Sequence, residues 1–173
     1  PTQLLAADSF WGGGTVGKGY PRGPDQEQNW GAVTGRIALD WKPELSFTDD
    51  TLIFGSFSRG YKAGGGNPPG PDWNDANSNY PVLPRTFSPE YVNAFEIGTK
   101  NSLQGGKLML SGSAFYYDYK DYQVSQFIDR AMHTETFDAK TWGVEFEAAW
   151  APSRNFRLDA TLGWLNTRIA DGA

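Results

Sequence analysis

Two glutamates separated by one residue, Glu145 and Glu147, have a spacing that invites a catalytic interpretation. On an extended strand their side chains leave the same face about 7 Å apart. That separation suits an inverting glycosidase, in which one carboxylic acid protonates the leaving group and one carboxylate activates water. A wet, polar sheet face carries carboxylates just as readily, and this interpretation is the stronger one.

The single histidine, His133, is predicted to lie in a loop, so we expect no catalytic triad, no catalytic residues and no enzyme.

Two glycine- or amide-rich segments partly match ligand motifs. Residues 12–19, GGGTVGKG, approach a phosphate-binding loop, but the last glycine replaces the Ser/Thr that would hold magnesium, and Tyr20-Pro21 follows where a helix should begin. Residues 75–79, DANSN, begin like a calcium loop, but Tyr80 replaces its turn glycine and Thr86 its bidentate glutamate. We therefore predict no metal site and no cofactor.

A third group could bind an organic ligand. Trp73, Tyr80 and Arg85 lie in residues 62–88, the longest irregular segment, together with several Asp and Asn residues. A structureless segment of that length usually marks a functional or a mobile loop. Aromatic faces combined with a guanidinium suit contacts with sugars or aromatic ligands. These three residues are therefore our candidates for ligand contact; the alternative is that the aromatic rings only hold the loop against its neighbours.

The segments that must position these residues alternate apolar and polar side chains. In residues 142–150, WGVEFEAAW, the two glutamates face one way and Val144 and Phe146 the other. Period two is the pattern of a β-strand. The same reasoning predicts an all-β fold, an antiparallel meander of about six strands at 30–41, 51–61, 89–101, 107–127, 141–150 and 156–169.

Composition narrows the class of protein. The chain has 173 residues, 15% of them aromatic, a net charge of −5 and no cysteine. An acidic chain without a basic stripe is a poor candidate for binding nucleic acid. No apolar run reaches the roughly 18 residues of a membrane helix. Strands that alternate apolar and polar residues are not detected by that hydropathy test, so a transmembrane β-barrel remains a possible fold.

The predicted connections differ in length at the two ends of the strands. Those after the first, third and fifth strands are short, whereas 62–88 and 128–140, after the second and fourth, are longer. Outer-membrane barrels have short periplasmic turns and long extracellular loops. We accordingly predict an irregular extracellular loop region over 1–29 and a barrel-wall segment over 30–173 with its long loop at 62–88.

The alternation also predicts which face each side chain occupies. The face predicted to contact lipid carries Val33, Ile37, Leu39, Phe95, Ile97, Val144, Phe146, Leu158, Ala160 and Leu162. The face predicted to line the lumen carries Arg36, Asp40, Glu96, Lys100, Glu145, Glu147, Arg157 and Asp159.

Four segments resemble a known family. Residues 57–67, FSRGYKAGGGN, and 88–100, SPEYVNAFEIGTK, are similar to strand segments of TonB-dependent outer-membrane receptors, as are 114–124 and 142–147 in the expected order. The resemblance implies an internal segment of a 22-stranded transmembrane β-barrel in the outer membrane of a Gram-negative bacterium. It further implies active import of a scarce large ligand, such as a siderophore, a cobalamin-like molecule or an oligosaccharide. The implied partners are outer-membrane lipid and the TonB energy-transducing complex, reached through parts of the receptor other than this segment.

Two alternatives remain open from the sequence. A soluble all-β glycan-binding module would turn the apolar face inward against a second sheet. A passive porin-type channel would share the barrel wall but need no energy source.

Overall fold

The computed structural model describes residues 27–67, 85–128 and 131–170. These residues form six long strands and two short ones. They are β1 (Gly35–Trp41), β2 (Asp50–Lys62), β3 (Gly65–Gly66), β4 (Thr86–Phe87), β5 (Glu90–Leu103), β6 (Leu108–Ile128), β7 (Ala131–Ser153) and β8 (Phe156–Ile169). Within the same ranges no helix is long and apolar enough to span a bilayer.

The six long strands form one sheet whose order follows the chain, β1-β2-β5-β6-β7-β8, and β3 and β4 form a separate two-stranded ladder. The pairs β1–β2, β2–β5, β5–β6 and β7–β8 are antiparallel. The predicted all-β meander of six strands is confirmed. Within the described ranges, β1 and β8 each have a single neighbour, so the sheet is open at both edges.

The prediction of a loop over 128–140 is wrong. β6 continues to Ile128 and β7 already begins at Ala131, so the fourth connection is short and His133 lies in a strand, where it is buried. Polar side chains pair across this hairpin: Ser125 Oγ lies 3.1 Å from Thr134 Oγ1, and Gln126 Nε2 donates to Glu135 at 3.2 Å. A strand with polar residues on both faces lacks the apolar alternation on which the prediction relied.

Two other boundaries differ from the prediction. β1 begins at Gly35 rather than at Trp30. The ends of the predicted 62–88 loop are ordered into the β3–β4 ladder, with Gly65 opposite Phe87 and Gly66 opposite Thr86. Residues 68–84 of that loop lie outside the described residues, as does nearly all of the predicted 1–29 loop region.

The chain divides into two compact units. One, which we call the sheet unit, contains residues 32–62, 90–122 and 137–170 of the described chain. The other, the loop unit, contains residues 27–31, 63–67, 85–89, 123–128 and 131–136. The connections β1–β2, β5–β6 and β7–β8 belong to the sheet unit, and the β2–β5 connection to the loop unit.

Side-chain and backbone hydrogen bonds link the three short connections of the sheet unit. Asp49 accepts hydrogen bonds at its Oδ2 from the amides of Gly105 and Gly106, at 2.7 and 3.1 Å. Both glycines have positive φ, +67° and +79°, a conformation that a side chain would strain. The Ala151 amide donates to the Lys107 carbonyl at 2.7 Å. The β1–β2 and β5–β6 turns are thus tied together, and the end of β7 is tied to the β5–β6 turn.

The sheet unit does not enclose an apolar core. Among the described residues no large side chain is fully buried, and Ile37, Leu39 and Leu162 are 67%, 75% and 71% exposed. A soluble domain of this length normally hides most such side chains. The apolar face of this sheet therefore requires a covering that these residues do not provide.

Candidate functional site

The register of the sheet unit sorts its side chains into two faces. Ile37 lies opposite Phe57, Phe57 opposite Phe95 and Phe95 opposite Tyr116, so one row of apolar side chains crosses four strands. A Cβ built on Gly112, which lies opposite Thr99 on this face, would be 3.8 Å from the Phe146 ring, which extends the face to β7. We call this the apolar face. Its members include Ile37, Leu39, Trp41, Ile53, Phe57, Phe95, Ile97, Tyr116, Trp142, Val144, Phe146, Trp150, Leu158, Leu162 and Trp164.

The opposite face, the polar face, carries most of the charges. Arg36, Asp40, Glu96 and Lys100 surround a depression of about 260 Å³ whose lining includes Phe54. The Lys100 ammonium lies 5.9 Å from the centre of the Phe54 ring. Two cations and two anions balance one another here, so the depression is wet and polar without a strong net charge.

Further charged residues of the polar face lie on β7 and β8. Glu145 and Glu147 are exposed on β7, and Arg157 and Asp159 form a bidentate ion pair at 2.7 and 2.8 Å on β8. Neither glutamate lines the depression. No group of three His, Cys, Asp or Glu side chains in the described part of the chain is arranged to hold a metal ion.

Aromatic pairs bound the apolar face at both ends of the β7–β8 hairpin. The rings of Trp142 and Trp164 meet edge to face with centroids 4.6 Å apart, and those of Trp150 and Phe156 do so at 6.2 Å. Between the pairs the exposed positions are aliphatic or phenyl. A transmembrane strand needs about 9–11 residues, which is close to the span from Trp142 to Trp150. Paired aromatic belts with an apolar band between them are typical of strands that cross a bilayer.

Polar residues replace apolar ones beyond the Trp142–Trp164 pair. On the same face, Arg59 donates to Asn93 at 3.3 Å and lies over the Tyr91 ring at 5.3 Å. The Lys120 ammonium pairs with the Asp138 carboxylate at 2.6 Å. The apolar part of this face, the apolar band, therefore ends at the Trp142–Trp164 pair. A membrane-spanning sheet changes from apolar to polar in this way at the boundary between hydrocarbon and water.

In the loop unit, a side chain of β6 holds together the two ends of the long connection, residues 63–67 and 85–89. We call these two segments the loop base. The Gln123 amide Nε2 donates to the carbonyls of Ala63 and Ser88, at 2.9 and 3.1 Å. It so bridges the two limbs of the loop base, the one that follows β2 and the one that precedes β5. The Asn67 amide donates to the Arg85 carbonyl at 2.8 Å and extends the β3–β4 ladder by one rung.

Glycines allow the two limbs to approach closely. A Cβ on Gly64 would lie 2.5 Å from the Phe87 carbonyl oxygen, and one on Gly65 would lie 2.6 Å from the Phe87 ring. Side chains at these positions would force the limbs apart. This accounts for the glycine run that follows Ala63 in the sequence.

A second carboxamide joins the loop base to β7. The Asn67 side chain accepts from the Thr134 amide at 2.7 Å and donates to the Thr134 carbonyl at 2.9 Å, so it pairs with this residue as a neighbouring strand would. The adjacent His133 is buried, and its Nδ1 has no hydrogen-bond partner among the described residues. Asn67 and Gln123 were not singled out by sequence reasoning, because the residues they join are 35 to 67 positions apart.

The predicted ligand-contact residues are only partly within the described chain. Arg85 is exposed at the end of the loop base. Trp73 and Tyr80 lie outside the described residues, as do the segments at 12–19 and 75–79. The structure brings Arg36, Glu96 and Lys100 together around one depression and leaves Glu145 and Glu147 elsewhere on the same face.

Comparison with known proteins gives one family. A family model described as TonB dependent receptor-like, beta-barrel, matches residues 7–173. No curated protein matches the sequence.

Proposed function

The chain belongs to the family of TonB-dependent receptor β-barrels, and from this membership we propose that it forms part of the wall of a transporter that imports a scarce large ligand across the outer membrane of a Gram-negative bacterium. Families of this kind are transporters and receptors rather than enzymes. The expected energy source is the TonB complex, contacted through parts of the receptor other than these strands.

The observation that carries the proposal is the exposure of the apolar face. Burying a single large apolar side chain is worth about 1.5–3 kcal/mol, so a row of them left in water would be costly. Lipid removes that cost, and antiparallel strands satisfy their backbone hydrogen bonds inside hydrocarbon. The aromatic pairs at both ends of the band support the same orientation.

The open edges support the proposal that this sheet is one arc of a larger barrel. Unpaired strand edges are not tolerated in a bilayer, and the smallest membrane barrels need about eight strands. Further strands beside β1 and β8 would close the wall, to 22 strands if the family's usual architecture holds.

The polar face is proposed to line the lumen. Arg36, Glu96, Lys100, Glu145 and Glu147 would then contact water or the domain that fills a barrel of this size. Arg36, Lys100, Glu145 and Glu147 are exposed and Glu96 is half-buried, and the charges around the depression are balanced. These observations support the assignment.

Ligand capture is proposed for the long connection that carries Trp73, Tyr80 and Arg85. Its base is held by the β3–β4 ladder and by Gln123 and Asn67, which suits a segment that must present side chains from a fixed position. The candidate ligands are an iron–siderophore complex, a cobalamin-like molecule or an oligosaccharide.

Lipid contact can be tested by tryptophan quenching. The intact receptor would be reconstituted in phosphatidylcholine vesicles with and without brominated acyl chains, and compared with its Trp142→Phe/Trp164→Phe variant. We expect the tryptophans removed in the variant to account for a large part of the quenching. A receptor that stays monodisperse without detergent and is not quenched would be a soluble module instead.

Transport can be tested with a panel of probes: ferric catecholate and hydroxamate siderophores, cobalamin and maltodextrins. Uptake of one of them should stop when a proton uncoupler removes the energy source, whereas a passive porin would continue to equilibrate it. Trp73→Ala/Tyr80→Ala should then weaken binding of that probe by at least about 1 kcal/mol, the scale of lost aromatic contacts. Unchanged affinity would assign the long connection another role.

A further inference from the structure

Four aromatic side chains follow one another along the polar face of β6. Phe115 lies opposite Glu96, which belongs to that face, and Tyr117 and Tyr119 follow at alternate positions. The centroids of the Phe115 and Tyr117 rings are 5.2 Å apart, and those of the Tyr119 and Tyr122 rings are 5.3 Å apart. We call Phe115, Tyr117, Tyr119 and Tyr122 the aromatic stripe.

An irregularity in β6 places the last ring of the stripe beside the others. In a regular strand Tyr119 and Tyr122, three residues apart, would leave opposite faces. Asp121 has a φ of +54°, in the left-handed region that a residue other than glycine seldom occupies, and its amide donates to the Asp138 carboxylate at 3.3 Å. This local distortion brings the Tyr122 ring edge to face against Tyr119. Irregular positions in strands are frequent beside functional sites, where they re-aim a side chain.

The rings are accessible, and the side chains around them are negatively charged. Tyr122 is 37% exposed and the other three rings are half-buried. The polar-face positions beside the stripe, within the described residues 90–96 of β5 and 139–145 of β7, include Glu90, Glu96 and Glu145 and no cation. Lys62 lies one strand farther away, opposite Glu90. Because like charges repel, an anionic ligand is disfavoured here.

We propose that the aromatic stripe binds a neutral oligosaccharide on the polar face of the sheet. The inference rests on the proposed function and narrows its ligand to one class. Strand rise alone separates Phe115 from Tyr119 by about 13 Å, so the stripe suits an elongated chain of rings better than a compact metal complex. Sugar rings lay their C–H faces on aromatic side chains, and their hydroxyl groups donate to carboxylates such as that of Glu96.

The test measures binding of oligosaccharides to the intact receptor in detergent by isothermal titration calorimetry. The neutral probes are maltohexaose, cellohexaose and xylohexaose, and the charged ones are oligogalacturonate and oligoglucosamine. At least one neutral probe should bind, and Tyr117→Ala/Tyr119→Ala should weaken that binding about tenfold because two aromatic contacts are lost.

Two control variants separate ring contact from effects on the wall. Tyr116→Ala removes the same ring from the apolar face of the same strand, where Tyr116 lies opposite Phe95, and should leave the affinity unchanged. Tyr117→Phe/Tyr119→Phe keeps both rings and should bind within about threefold of the wild type, since ring contact is retained. This variant also carries the test if the alanine variant does not fold, because a loss beyond that limit would overturn stacking as the basis of binding.

Asp121 is a positioning residue in this proposal and has a test of its own. Asp121→Gly retains the positive φ and the amide donor, so the affinity should stay the same. Asp121→Val disfavours that φ and should weaken binding about threefold by turning the Tyr122 ring away. Tyr122→Ala should cause a similar loss, and Asp121→Val should add nothing to it. Additive losses would show that Asp121 does not act through Tyr122.

The outcomes separate this inference from the function beneath it. Absence of binding by every neutral probe, tighter binding of a charged one, or equal affinity in the wild type and the Tyr117/Tyr119 alanine variant would overturn the oligosaccharide site. Energy-dependent uptake of a siderophore or of cobalamin would in that case leave the proposed function intact. Stripe-dependent binding of a neutral probe whose uptake continues after proton uncoupling would retain the site and overturn active transport.

Discussion

The sheet unit and the loop unit of this chain are stabilised by different kinds of hydrogen bond. In the sheet unit, β2 and β5 pair without interruption from Asp50–Ser102 to Lys62–Glu90. In the loop unit, the β3–β4 ladder pairs only two residues of each strand, and the carboxamides of Gln123 and Asn67 add side-chain hydrogen bonds at the loop base. A wall built on backbone pairing tolerates many side chains, provided that each face keeps its polarity. A loop base built on a few side chains depends on their identity, and its failure should stay local.

The largest effect should come from a charge on the apolar face. Phe146→Arg places a cation near the middle of the band, because Phe146 lies opposite Leu162 and midway between Trp142 and Trp150. The cost there is about 2–4 kcal/mol. Thr161→Arg is the matched control, because it adds the same charge to the polar face of the adjacent strand, where Thr161 lies opposite Glu147. Folding yields of the intact receptor in lipid vesicles should fall for the first variant only. Equal yields would mean that the two faces are assigned incorrectly.

A smaller effect should come from volume on the polar face. A Cβ on Gly143 would collide with the Trp164 carbonyl oxygen and lie 2.8 Å from the Phe115 ring, whereas Gly163 has open space around it. Overpacking of this kind costs about 1–3 kcal/mol, so Gly143→Ala should lower the thermal stability of the barrel. Gly163→Ala should leave it nearly unchanged. A similar loss in both variants would point to backbone conformation rather than packing.

The smallest effect should come from the loop unit. Asn67→Ala removes both the donor to the Thr134 carbonyl and the acceptor of the Thr134 amide, so we expect a local cost of about 1–2 kcal/mol. Amide exchange at Thr134 should accelerate about tenfold while the melting temperature of the barrel stays constant. Asn93→Ala, which removes the acceptor of an Arg59 hydrogen bond, is the control and should not accelerate exchange at Thr134. A lowered melting temperature in the Asn67 variant would show that the loop base supports the wall as well.

Strands that alternate apolar and polar side chains were predicted from sequence, and those lacking the alternation were not. Val144, Phe146, Leu158 and Leu162 alternate with polar residues, so β7 from Thr141 onward and β8 were located closely. The first part of β7 carries polar residues on both faces, so it lacks the alternation and was predicted as a loop. In the structure it pairs with polar residues of β6.

The contacts of the loop base could not be predicted from sequence spacing. Gln123 and Asn67 act through hydrogen bonds to residues far along the chain, and no local pattern marks which amide will meet which carbonyl.

The β3–β4 ladder also bears on how quickly the sheet can assemble. Every other pairing in the sheet unit joins strands separated by a short connection, whereas β5 must find β2 across residues 63–89. The entropy cost of closing a flexible segment grows with the logarithm of its length. A ladder that forms early from the two ends of that segment brings Lys62 and Glu90 together in advance. The glycine run that permits the ladder would then set the pace of the slowest pairing as well as the shape of the finished loop base.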